Sequence, residues 1–300
     1  MKKEYVRKQH YIPQYALKAF QTGKKGIPFI NLHHEPIKLR YSQSRDLMQE
    51  KDFYEIKNED GNYIFRNYIE DSYAILENKI SSDFNKFVTL SLNNNFQEEF
   101  KKMVDTGEWF SIEASLLLHI ISTMVRGIGI KHIFKEKSDL PTNFKKLYYL
   151  MFTTSKEVAT QFANEIFYKD ELELALHIIK EDELGSPQSL LSHHIFENYQ
   201  IRVCSTEEGK ELFLSDNPVI VQKFEGEDYI FPISPNICLI LVPLNVKDDN
   251  IMVNPNIYPL TSKQVDSINE ESILNTERLL IVSSNVDIGF IENVMKRHLK

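Results

Sequence analysis

At Tyr199 the chain changes its hydrophobic period, and that change restricts the fold more than any single motif does. Over residues 67–88, Ile69, Tyr73, Leu76, Ile80, Phe84 and Phe87 recur three and four positions apart with charges between them. That is the spacing of one buried helix face. Similar spacing predicts helices near 95–105, 109–126, 142–152, 155–167, 170–180 and 187–198, and Pro and Gly are scarce throughout this middle. Beyond Tyr199 the pieces YQIRVCS, ELFLSD, PVIVQKF, DYIFPI and NICLILVP are short, rich in Val, Ile and Phe, and divided by Gly, Pro, Asn or Asp. Such pieces are strands joined by tight turns, which makes an antiparallel or mixed sheet. Residues 261–275 return to helical spacing behind Thr261 and Ser262, a pair suited to capping. RLLIVSS reads as one more strand, and IGFIENVMKRHLK closes the sequence as an amphipathic helix.

Strand signals also precede the helical middle. A first helix at about 13–20 and a turn at Gly23 and Gly26 lead to two β-like pieces, 27–32 and 37–41. DFYEI and NYIFR then flank Asp60-Gly61, a hairpin dipeptide because glycine accepts the positive φ such turns demand. An isolated hairpin is marginal in water, so the early pieces need partners among the later strands. The expected fold is therefore α+β, with a mixed or antiparallel sheet built from N- and C-terminal strands and packed against a central helical region. We expect one domain over 1–300, its helical middle at about 67–198 and its strand-rich part at 199–285. With 42% hydrophobic and 11% aromatic residues, a chain of 300 can fill a large core.

The net charge of -8 is unevenly spread: residues 1–50 hold ten Lys/Arg against four Asp/Glu, so the remainder is net -14. A basic arm on an acidic body can meet phosphate or lie against its own surface. Cys204 and Cys238 fall in apolar strands with no metal-ligand spacing, which predicts buried reduced thiols. No apolar run follows the basic start, so no signal peptide is expected. The most apolar helical stretch, 114–125, is interrupted by Arg126 and contains His119, Ser122 and Thr123, as a core helix would. A cytoplasmic protein without membrane contact is the expectation.

Three places could carry chemistry. His10 precedes a helix start marked by Pro13, and an imidazole titrating near neutrality can serve as general acid or base, or as a capping residue. Ser215-Asp216-Asn217-Pro218 is an Asx-type turn that could also hold a carboxylate against a histidine or metal. Arg126 is either a charge answering the helix dipole or an anion clamp. Its spacing to His132 resembles that of ribonucleases of the HEPN superfamily, although Gly127 and Gly129 interrupt the helix that arrangement needs. His33-His34 and His193-His194 are adjacent pairs whose members point apart, and no HExxH or CxxC occurs. No cofactor is named by these patterns, and a divalent metal stays open only as a long-range assembly. Phosphate-binding Gly loops, GxSxG and dinucleotide fingerprints are absent, which sets aside nucleotide-driven motors and hydride transfer.

Taken in order, HYIPQYALKAF (10–20), Asp52-Phe53-Tyr54, Leu76-Glu77, HIISTMVRG ending in Arg126, LFLSDNPV (212–219) and FPISP (231–235) resemble the phrases of a mainly bacterial family, domain of unknown function 4238. The resemblance spans roughly residues 8–285. It departs where the family typically reads Gln-x-x-Arg-Thr-Pro: here Thr123 takes the Gln place and Gly127-Ile128 follow Arg126. The family brings no assigned activity, but its recurring polar residues imply one cleft formed by His10, Glu77, Arg126, Asp216 and Asn217.

A histidine, carboxylates and an arginine are the parts of a phosphodiester hydrolase, RNase-like, with RNA as the expected partner and a toxin or phage-defence effector as the setting. His10 would be base or acid, Asp216 its orienter and Glu77 a second acid or base. Gln14, Arg126 and Asn217 would bind substrate. This arrangement expects the His10 and Asp216 side chains within about 8 Å of each other. The alternative is a non-catalytic binding or sensor protein recognising a protein or phage component, with the same residues serving as an internal polar network.

Overall fold

The N-terminal segment folds as a strap across later parts of the chain. Strand β1 (Lys8–His10) pairs antiparallel with β4 (Gln49–Lys51), and between them lie the short helix α1 (Gln14–Lys18) and the hairpin β2 (Ile27–Asn31) with β3 (Arg40–Ser42). Gly26 sets that hairpin, because at φ 100° a side chain there would place its Cβ 2.4 Å from the Ser42 carbonyl oxygen. Strands β5 (Ile56–Lys57) and β6 (Tyr63–Ile64) form the second hairpin, as the Asp60-Gly61 signal predicts. The computed structural model describes residues 5–57, 61–131, 150, 156–181, 187–224, 227–244 and 255–298.

Helix α2 (Tyr68–Ser91) buries Ile69, Tyr73, Ile80, Phe84 and Phe87, the predicted stripe, with Leu76 partly covered. It leads through α3 (Phe96–Asp105) into α4 (Glu108–Arg126), which packs against both. Apolar residues alone do not fill the buried surface of α4: Glu113, His119, Ser122, Thr123 and Arg126 are buried as well. A short turn, α5 (Ile128–Lys131), follows, then α6 (Lys156–Ile166), α7 (Asp170–Glu181) and α8 (Pro187–Asn198). The predicted helix at 142–152 and His132 lie outside the described residues, Leu150 excepted.

The strand-rich part forms a five-stranded sheet in the order β12-β7-β11-β10-β9. Its members are β7 (Tyr199–Thr206), β9 (Ile220–Phe224), β10 (Glu227–Ser234), β11 (Ile237–Pro243) and β12 (Tyr258–Leu260); β12 runs parallel to β7 and the rest pair antiparallel. Strand β11 is apolar without interruption because both its faces are covered. Ile237, Leu239 and Leu241 join the main core, whereas Cys238, Ile240 and Val242 meet Val265 and Ile268 of α9 (Ser262–Leu274). Cys204 and Cys238 are cross-strand neighbours, buried and not joined by a disulfide.

The early strands do find late partners, but in a second sheet. Its order is β3-β2-β13-β8, with β8 (Leu214–Ser215) and β13 (Leu279–Ile281). The apolar residues show the grouping: Ile30 of β2 and Leu280 of β13 pack with Ile291 and Val294 of α10 (Ile288–His298) in a cluster apart from those of the five-stranded sheet. The fold is α+β, with mixed and antiparallel strands beside a helical middle.

Candidate functional site

Arg126 ends α4 with a guanidinium only 1% exposed, and a buried charge of this kind persists only when paired and hydrogen-bonded. Its Nε donates to the Tyr54 hydroxyl at 2.8 Å, Nη1 donates to Glu77 Oε1 at 2.5 Å, and Nη2 donates to the His10 carbonyl. The Tyr73 ring lies beneath, its centroid 4.3 Å from the guanidinium carbon. Glu70, Tyr73 and Glu77 stand at i, i+3 and i+7 on α2, so one helix face serves the arginine. Tyr54 Oη also donates to the His10 carbonyl at 2.9 Å. The backbone of the strap is thus fastened to the end of α4.

The His10 imidazole has its Nε2 buried, with no hydrogen-bond partner among the described residues. Burial lowers its pKa, and Arg126 pushes the same way; backbone bonding at Ser44 and Arg45 and the charge of Glu77 pull upward. At neutral pH the ring is therefore uncharged. Glu70 moves the opposite way, to about 7: burial raises it and Glu77 adds to this, while Arg126 opposes. Its Oε2 is also buried without a partner among the described residues. Glu77 reaches the rim, its side chain 28% exposed. Gln14 accepts a long bond from the Ser44 hydroxyl, 3.4 Å, on the side of the strap where Ser44 bonds the imidazole.

Asp216 is held by backbone amides, and its charge is felt at the Tyr11 hydroxyl of the strap. Its Oδ1 accepts from the Glu277 amide at 2.8 Å, and its Oδ2 accepts from the amides of Arg278 at 2.9 Å and Leu279 at 2.8 Å. Burial raises this carboxyl, against the three amides and Arg278, which favour the charged form. The carboxylate latches β13 to β8, and among the described residues it makes no hydrogen bond to His10. Both carboxylate oxygens are taken by the backbone amides of residues 277–279. The Asn217 side-chain amide lies against the turn that follows Arg126, where a Cβ on Gly127 or Gly129 would approach it to 3.0 or 2.9 Å. Gly127, which departs from the family pattern, and Gly129 thus leave room for Asn217.

Sequence reasoning missed Gln9, Tyr54, Glu55, Glu70 and the pair Tyr15–His119. Gln9 is fully buried; it accepts from the Tyr54 amide and donates to Glu55 Oε1, both at 2.7 Å, and Glu55 accepts the Asn67 amide at 3.1 Å. Met48, Asp52, Phe65 and Asn67, which frame this knot, all have left-handed φ of 46–63°. Side chains beyond glycine pay for that geometry, and it clusters where a site over-determines the backbone. His119 meets the Tyr15 hydroxyl at 2.8 Å through Nδ1, and burial lowers its pKa to about 3. Thr123, at the family's Gln place, donates to the His119 carbonyl. The available signal was spacing: residues 119, 122, 123 and 126 form a polar stripe on an otherwise apolar helix.

His33 and His34 are exposed or near-exposed turn residues, and His193 pairs with Glu197 at 2.9 Å. Among the described residues no group of three or more His, Cys, Asp or Glu is placed to hold a metal ion, and no helix is long and apolar enough to cross a membrane. No curated protein and no solved structure matches the chain significantly. One protein family does match, over residues 8–285, and its description is "protein of unknown function (DUF4238)". That span takes in the strap, the end of α4 and the SDNP turn together, and the chain belongs to the DUF4238 family.

Proposed function

We propose that this protein hydrolyses phosphodiester bonds by general acid–base catalysis, with RNA as substrate, in the cytoplasm and as a toxin-like or phage-defence effector. One observation carries the reading: a neutral imidazole with an unengaged Nε2 and a carboxyl titrating at about 7 flank the same buried arginine. Paired titratable groups whose environments push their pKa values in opposite directions, here the imidazole down and the carboxyl up, are the usual mark of an acid–base site. His10 Nε2 takes a proton from the attacking water as its oxygen bonds to phosphorus. The P–O bond to the leaving oxygen breaks, and that oxygen receives the Glu70 proton. Glu77, whose charge favours the imidazolium, orients the ring. Arg126 positions the His10 backbone and Glu77, because each of its nitrogens already donates inside the protein.

That same saturation favours the second reading, a non-catalytic binder or sensor whose polar network only fixes the fold. Purified protein, with chelator and with added divalent ions, should degrade labelled RNA, and His10→Ala should lose at least about 100-fold in rate with its melting temperature held. Intact RNA under all conditions, or a His10→Ala variant as active as the parent, rejects catalysis. A large melting loss for His10→Ala, about 1–3 kcal/mol, assigns the imidazole to architecture.

A further inference from the structure

Beside the Arg126 cluster the strap carries an arrangement that the acid–base reading does not use. Lys8 and Lys51 are direct partners across β1 and β4, both exposed, and the charge of Lys51 is felt by Asp52 beside it. Like charges directly opposite on a ladder destabilise it unless an anion lies over them. Alternation puts Lys8 on the same side of β1 as His10, roughly 7 Å along the strand. Next to this pair, the Arg66 guanidinium is stacked between two rings, its carbon 4.2 Å from the Tyr5 centroid and 4.4 Å from that of Tyr63. Its buried Nε has no acceptor among the described residues. Lys57 adds a second cation to the Tyr63 ring at 4.8 Å.

The nearby carboxylates are already engaged. Asp52 Oδ2 accepts from Arg7 and from the Tyr63 hydroxyl, both at 3.2 Å, Glu55 faces inward to Gln9 and Asn67, and Glu50 lies 3.9 Å from Arg278. Among the described residues, Lys8, Lys51, Lys57 and Arg66 thus gather on one edge of a chain whose charge beyond residue 50 is net -14.

We propose that this edge, Lys8, Lys51, Lys57 and Arg66 with Tyr5, binds the phosphate backbone of a single-stranded nucleic acid and leads it to His10. Cations interleaved with aromatic rings, one of them (Tyr5) 44% exposed, are the composition of single-strand tracks, where bases stack and phosphates meet charge. The proposal extends the phosphodiester reading, but binding is measurable without cleavage. The test titrates a short labelled single-stranded RNA, the matching DNA strand and polyglutamate against the His10→Ala chain at several salt concentrations. Lys8→Ala/Lys51→Ala should weaken RNA binding by about 10-fold and reduce the slope of log K against log salt by about 1.4, roughly 0.7 for each lost phosphate contact. Tyr5→Ala should weaken RNA binding without changing that slope. Equal binding of DNA assigns the edge to the phosphate backbone alone, and tighter RNA binding adds the 2′-hydroxyl; either supports the track. Equal binding of polyglutamate, no RNA binding, or unchanged affinity and slope in the lysine variant overturns it. RNA bound through the edge yet never cleaved by the unmodified protein removes the hydrolase and leaves the track. Cleavage with unaltered binding in the variants does the reverse.

Discussion

Single residues here are understood through what they replace in water. Arg126 gives up hydration and receives a hydroxyl, a carboxylate, a carbonyl and an aromatic face, a cation–π contact of this buried kind being worth about 2 kcal/mol. Glu70 receives less, so its folded carboxyl keeps its proton to about pH 7 against an ordinary value of 4.5. Between those values the folded state holds more protons than the unfolded chain, so this residue's contribution to stability falls as pH rises from 4.5 to 7 and is level above. Glu70→Gln should therefore gain stability relative to the parent progressively across that window, measured by urea denaturation at stepped pH. Parallel curves would refute the raised carboxyl. His119 works against Glu70, since a ring held near pKa 3 loses stability as pH falls below its ordinary 6.5. Only Glu70→Gln separates the two slopes.

At the scale of elements, sequence periods were reliable and partners were not. The α2 stripe, the β5–β6 hairpin and the capped start of α9, where Thr261 and Gln264 bond reciprocally, could be read directly. The first helix is shorter than its 13–20 signal, and β3 begins at Arg40 and not at 37. In both cases chain ends are set by tertiary packing. Gly26 is the most exposed test of this level. Gly26→Ala must relieve both a left-handed φ and a 2.4 Å approach to Ser42, and we expect a loss of about 2 kcal/mol in chemical denaturation. A variant as stable as the parent would mean that the β2–β3 register does not depend on this close approach.

Across the whole molecule, one apolar core runs from Tyr11 and Leu17 of the strap, through Trp109 and Ile120 of α4, to Leu239 and Ile281. Trp109 is the sole tryptophan and sits in that core, so its fluorescence reports on the middle of the structure. If the chain is one cooperative unit, as its composition leads us to expect, Trp109 fluorescence and far-UV circular dichroism should give superimposable unfolding curves. Two separated transitions would divide it. The sequence by itself determined the class of the fold, the helical face of α2, the strand character after Tyr199 and the set of residues worth watching. Those are properties of local period and turn chemistry, which each segment carries alone. Tertiary structure decided which of the watched residues meet. Arg126 holds the His10 carbonyl and Glu77, Asn217 lies against the glycines of the turn that follows, and Asp216 ties β8 to the residues leading into β13 through three backbone amides. No period announces a buried charge's partners, because those are fixed by which long-range groups can replace its water.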